Sequence, residues 1–150
     1  MNKSLITLSV AVAVAIAGVG AAGSEKKSTQ KSAQKKEVIY VSPEQATFKG
    51  MMPGVSTAVL WGDPEKGAHA TFTKFTPGHD AGTHTHTSDL WLVVIKGAYL
   101  YKDDAGDKRV GPGEFLWIPG GHKHWSGGDK TEGAFFYEEG SKKFDLIPAT

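Results

Sequence analysis

The chain contains no cysteine among its 150 residues. Disulfide bonds are therefore excluded, as are a thiolate metal site and a lipid-modified cysteine at an N-terminal cleavage point. Long apolar runs are also scarce. The longest, Leu5 to Ala17, is rich in alanine and too short to predict a membrane span. Beyond it no segment keeps apolar residues at the i, i+3, i+4, i+7 spacing of an amphipathic helix, and "SPEQATF" offers one helical turn at most. A basic face is missing too. Residues 1–36 hold six of the 17 basic residues and one of the 16 acidic ones, so the rest carries 11 basic against 15 acidic. That balance argues against nucleic acid as a partner.

The ends and the middle of the chain read differently. Lys3, the apolar run and the small residues of "GVGAAG" form the pattern of a secretory signal peptide over residues 1–23, cleaved around Ala21 to Gly23. This predicts a periplasmic or secreted protein with no stable membrane insertion once the peptide is removed. Residues 24–37, "SEKKSTQKSAQKKE", have no large apolar side chain with which to offset ordering entropy, and read as a flexible tether. Residues 38–150 are one domain's worth of chain.

That domain breaks into short pieces rich in Val, Ile, Thr, Phe, Tyr and Trp, bounded by Gly, Asp or Pro. They include "EVIYV", "VSTAVLW", "AHATFTKF", "DLWLVVIKG", "AYLYK", "EFLWIP", "HKHWS", "AFFYEE" and "KKFDLIPA". About ten such strands predict an all-β sandwich or closed barrel. "LWLVVI" is apolar on both faces, so one face fills the core and the other packs on a second sheet or a second subunit, which favours a homodimer.

In "THTHT", His84 and His86 lie two residues apart, so in a strand both imidazoles project to one side and can converge on an ion. A third ligand must come from elsewhere, and "GEFLWIPGGHKHWSGG" supplies candidates. Gly78, His84, His86 and Gly97 carry the spacing G-x5-H-x-H…G; Gly113, Pro119, Gly121 and His124 carry G-x5-P-x-G-x2-H. On these two motifs, separated by 15 residues, the chain resembles the cupin superfamily, and within it the small single-domain cupins.

The resemblance implies a conical β-barrel, a double-stranded β-helix or jelly roll of two antiparallel sheets. It implies that His84, His86 and His124 are metal ligands. The cofactor would be one divalent first-row ion, whether Fe, Zn, Mn, Ni or Cu. One departure stands out. The family's metal-binding glutamate falls on Leu90 or Trp91, neither a ligand, and Asp89 is one residue short on the opposite strand face. Asp89 and His122 are the alternatives for completing the site.

The remaining candidates follow from alternation. His122 is the nearest candidate for a catalytic base or an added pocket group, with Tyr101 or Tyr137 behind it. Leu90, Phe135 and Tyr137 are expected to line the pocket. His79 and His69 are expected at the surface, and Trp91, Trp117 and Trp125 in core or interface packing. Gly78, Gly97, Gly113 and Gly121 are expected at positive φ. Asp103, Asp104 and Asp107 suggest a solvated hairpin turn. Two functions stay open: a metal-dependent enzyme acting on a small molecule, by dioxygenase-like or Lewis-acid chemistry, and a periplasmic module that binds or senses a metal or small ligand. The first requires an open pocket above the ion. The second requires a closed coordination shell.

Overall fold

The computed structural model describes residues 37–150. The expected signal peptide and all but the last residue of the tether lie outside the described residues. Eleven strands follow in order: β1 (Lys49–Met52), β2 (Val55–Gly62), β3 (His69–Phe75), β4 (Asp80–Thr85), β5 (Leu90–Gly97), β6 (Tyr99–Asp103), β7 (Gly106–Val110), β8 (Phe115–Ile118), β9 (His124–Gly128), β10 (Ala134–Gly140) and β11 (Ile147–Pro148). They form a six-stranded sheet in the order β1-β2-β3-β10-β5-β8 and a five-stranded sheet in the order β11-β4-β9-β6-β7. All strand pairs are antiparallel. The all-β jelly roll is thus present, as two facing sheets rather than one continuously hydrogen-bonded barrel. Among the described residues no helix is long and apolar enough to cross a membrane.

Period-two alternation sorts the side chains. Leu90, Leu92 and Val94 of β5 and Ala134 and Phe136 of β10 point inward, where Tyr99, Tyr101, Val110 and Ile118 complete the core. The opposite faces of β5 and β8 pair Trp91 with Trp117 and Val93 with Phe115 on the outside. Phe115 and Trp117 are 62% and 53% exposed, so Trp117 lies outside the core, on the outer face that Trp91 shares.

Two other expectations fail at the margins. "EVIYV" forms no strand, and Val38, Ile39 and Tyr40 are exposed, because no neighbouring strand covers them. "KKFDLIPA" contributes only the two-residue β11. The four motif glycines do adopt positive φ, between 71° and 80°. At Gly97 a side chain is doubly excluded, since a Cβ there would lie 2.3 Å from the Gly133 carbonyl oxygen.

Phe136 is fully buried and packs edge-on against Phe75 and Tyr99. Phe136→Ala is expected to lower stability by about 3–5 kcal/mol through lost burial and the cavity left behind. Phe135→Ala, on the half-buried outer face, should cost clearly less. Urea unfolding of both variants checks this.

Candidate metal centre

β4 and β9 pair with His84 directly opposite His124, and His86 follows just beyond the end of β4. This register brings together three residues that are 1%, 4% and 1% exposed for His84, His86 and His124. Their ring centroids lie 4.8 Å apart for His84–His86, 4.4 Å for His84–His124 and 5.4 Å for His86–His124. Each offers one ligand atom, and these atoms all lie within 4.8 Å of one another.

The hydrogen bonds of the outer ring nitrogens decide the tautomers. His84 Nδ1 donates to the Gly82 carbonyl at 2.9 Å, His86 Nδ1 to the Asp145 carbonyl at 2.5 Å, and His124 Nδ1 to the His122 carbonyl at 3.0 Å. A carbonyl can only accept, so each Nδ1 carries the proton and each Nε2 keeps a free lone pair. His124 Nε2 is buried and has no hydrogen-bond partner. Burial lowers the pKa of all three imidazoles, that of His124 to about 4, so the rings are neutral at physiological pH. Three neutral imidazoles with unpartnered lone pairs directed at one point fit a divalent first-row ion.

The centre opens onto a cavity of about 540 Å³, whose wall includes His84 and His86. Phe144 packs against the His86 ring at 5.4 Å, and the Asp145 carboxylate accepts from the Thr87 backbone N–H and hydroxyl. The C-terminal segment therefore holds His86 from a distance of 59 residues in sequence.

Neither proposed substitute for the missing glutamate reaches the triad. Asp89 Oδ1 accepts the Gly120 backbone N–H at 2.7 Å. His122 lies before β9 begins, outside the regular alternation assumed for it, and its Nε2 contacts Asp103 Oδ2 at 3.0 Å. The Tyr101 hydroxyl donates to that same oxygen at 2.9 Å, and the Tyr101 ring stacks on His124 with centroids 5.3 Å apart. His122 thus acts behind His124 rather than beside it. Asp103 also caps the expected β6–β7 hairpin by accepting from Ala105 N–H.

Leu90 occupies the glutamate position and points inward, but into the apolar core, 2% exposed. Phe135 and Tyr137 do not line the cavity either. They lie on the outer face of β10, where both rings pack edge-on against Phe72. The phase of that strand places Phe136 and Glu138 inside instead. His69 and His79 also differ from their expected surface positions. His69 is 1% exposed and donates Nδ1–H to the Gly67 carbonyl. His79 packs on Phe75 at 4.6 Å with its Nε2 buried and unpartnered, and both residues border the cavity. Glu138 was legible in principle, since "AFFYEE" alternates, but alternation alone does not say which set faces inward.

The sequence matches the family described as "Domain of unknown function (DUF4437)" over residues 25–150. Over 70 residues it is 33% identical to an (R)-mandelonitrile lyase of Granulicella tundricola; this covers 46% of the chain and 53% of the lyase. The chain therefore matches about half the length of that curated relative. Among solved structures, the polyketide cyclase RemF from Streptomyces resistomycificus superposes with a TM-score of 0.65 at 16% identity, covering 76% of this chain and 87% of the cyclase. An RmlC-like cupin from Shewanella frigidimarina gives 0.56 at 19% identity, covering 68% and 89%. The fold is that of the cupins.

The buried triad makes stability depend on pH. An ordinary imidazole titrates near 6.5, whereas His124 in the folded protein does so at about 4. Between these values the unfolded chain binds more protons than the folded one. The contribution of His124 to the stability of the metal-free protein is therefore complete above pH 6.5 and is lost, on the order of a few kcal/mol, as pH falls towards 4, against an opposite contribution from any buried carboxyl. Urea midpoints measured across that window check this, and His124→Asn should reduce the slope.

Proposed function

We propose that this chain, which belongs to the DUF4437 family, is a metal-dependent cupin that acts on a small molecule at a mononuclear three-histidine site. The observation that carries the reading is the common arrangement of His84, His86 and His124, each with Nδ1 committed to a carbonyl and Nε2 left free, with His84 and His86 bordering an open cavity. A divalent first-row ion held there supplies Lewis acidity and open coordination positions. The protein's own residues do the rest. The three carbonyls orient the imidazoles, Tyr101 and Phe144 hold the rings from the sides, and Phe144 and Leu146 help wall the cavity.

The placement of His122 favours an enzyme over a closed binding module. A binder needs a fourth protein ligand, and His122 is instead committed to Asp103, which leaves the cavity side of the centre without one. The similarity to a mandelonitrile lyase makes cleavage of a hydroxynitrile the first activity to assay. Dioxygenase-like chemistry is the iron-dependent branch of the same reading. Each requires metal.

Elemental analysis of untagged protein is expected to find about one divalent first-row ion per chain, lost in His84→Ala/His124→Ala. Iron directs the next assay to dioxygen consumption with candidate substrates. Zinc or manganese directs it to (R)-mandelonitrile, followed by benzaldehyde release. Wild-type protein that takes up no metal even on reconstitution would overturn the reading.

Two further parts of the proposal concern assembly and location. A second copy of the chain is the proposed cover for the outer face of β5 and β8, where Trp91, Val93, Phe115 and Trp117 form a continuous apolar patch beside an edge strand. Sedimentation velocity should give a dimer that Phe115→Ser/Trp117→Ser converts to monomer, with the β-sheet signal in circular dichroism retained. The pattern of residues 1–23 supports export to the periplasm or medium. N-terminal sequencing of the mature protein should begin near residue 24.

A further inference from the structure

The wall of the cavity carries a carboxyl that the histidine triad does not use. β10 turns Ala134, Phe136, Glu138 and Gly140 inward, and Glu138 is 8% exposed. It sits between Thr71 of β3 and Leu92 of β5 in the sheet register, and its side chain borders the same cavity as His84 and His86. The other titratable groups that border this space are Asp63 and Glu65 from the turn after β2, His69 from β3, Tyr99 from β6, His79 from the turn before β4, Lys49 from β1 and the two triad histidines. Leu92 of β5 contributes none. Among the described residues no lysine or arginine pairs with Glu138, and the one lysine bordering the cavity, Lys49, is exposed on β1 at the edge of the sheet.

A carboxyl without a counter-charge is a costly way to fill an interior wall. The neighbouring strand fills equivalent positions with Leu90 and Leu92. Burial pushes Glu138 up to about 7, so both of its forms are populated near neutrality, where one group can take up a proton and return it. The phenol of Tyr99, raised by its own burial, stays protonated beside it.

We propose that Glu138 is the proton-transfer residue of this cavity, taking the hydroxyl proton of a neutral hydroxy compound seated against the three histidines. The ligand O–H bond breaks, an O–H bond forms on the Glu138 carboxylate, and no electrons change hands; the proton is returned to the product before release. A substrate without negative charge fits a wall in which, among the described residues, the one lysine lies exposed at the edge of the sheet and Asp63, Glu65 and Glu138 are acidic. The inference rests on the metal-dependent reading above.

Its test need not await the natural substrate. Benzohydroxamic acid is a neutral chelator that gives up its proton when it coordinates a metal. Calorimetry of its binding to the zinc-loaded protein, in buffers of different ionisation enthalpy, counts the protons released. At about pH 8, just above the pKa of the buried carboxyl, the wild type should retain that proton on Glu138. The isosteric Glu138→Gln variant should release roughly one more proton per site to the buffer. Zinc content, measured alongside, should match the wild type, and the unfolding midpoint at this pH should be no lower, because the variant removes a buried charge. The carboxyl stretch in difference infrared spectra should titrate near neutrality in the wild type and be absent from the variant. Equal proton release in the two proteins overturns the role of Glu138 and leaves the metal site standing. Failure of zinc-loaded wild type to bind the hydroxamate overturns the metal-dependent reading and this inference with it.

Discussion

Three backbone carbonyls, those of Gly82, Asp145 and His122, set the chemistry of the interior. Each takes the Nδ1–H of one histidine, and in doing so leaves a lone pair on the opposite nitrogen. Without these bonds the imidazoles could hold either tautomer and rotate about χ2, and three buried rings would be polar groups with no defined partner. The carbonyls come from the irregular register of β4 between Asp80 and Thr83, from the C-terminal segment and from the turn before β9. The site therefore depends on three parts of the chain meeting, and not on the H-x-H pair alone.

The two sheets divide the work. The five-stranded sheet carries His84 and His124 opposite each other, with Tyr101 braced on His124 and held in turn by Asp103 and His122. The six-stranded sheet supplies the apolar core of Leu90, Leu92, Val94 and Phe136, and beside it the buried polar residues His69, Thr71, Thr73 and Glu138. Its other face is aromatic and exposed. A three-histidine centre on one sheet thus faces, across the cavity, His69, Thr71, Thr73 and Glu138 of the other.

The absence of a metal-binding glutamate has a simple structural outcome. Leu90 keeps the inward orientation that the position demands but joins the core, so the triad is left with neutral ligands only. Any negative charge at the centre must come from what binds there. Glu138 is the buried acid of the cavity wall, and it reaches the interior from β10 rather than from β5.

Strand periodicity and turn glycines were local properties, so the all-β class, the positive-φ glycines and the His84–His86 pair were readable from residues in a row, whereas His124 followed from the resemblance of the two spaced motifs to the cupins. Errors arose where the answer depended on phase or on distant contact. Alternation in "AFFYEE" is the same whether Phe135 or Phe136 faces inward, and only pairing of β10 between β3 and β5 selects Phe136 and Glu138. His122 stands two residues before His124, yet β9 begins only at His124, so the two do not share a strand face. His69 and His79 looked like surface residues because nothing near them in sequence covers them; Phe144 lies against the first and Phe75 against the second. Residue type, strand period and motif spacing thus sufficed for the all-β class and for three candidate ligands, because these are written in short stretches of chain. Tertiary structure alone decided which side chains share the cavity and which nitrogen of each histidine is free, because those depend on partners brought together from as far as 59 residues away.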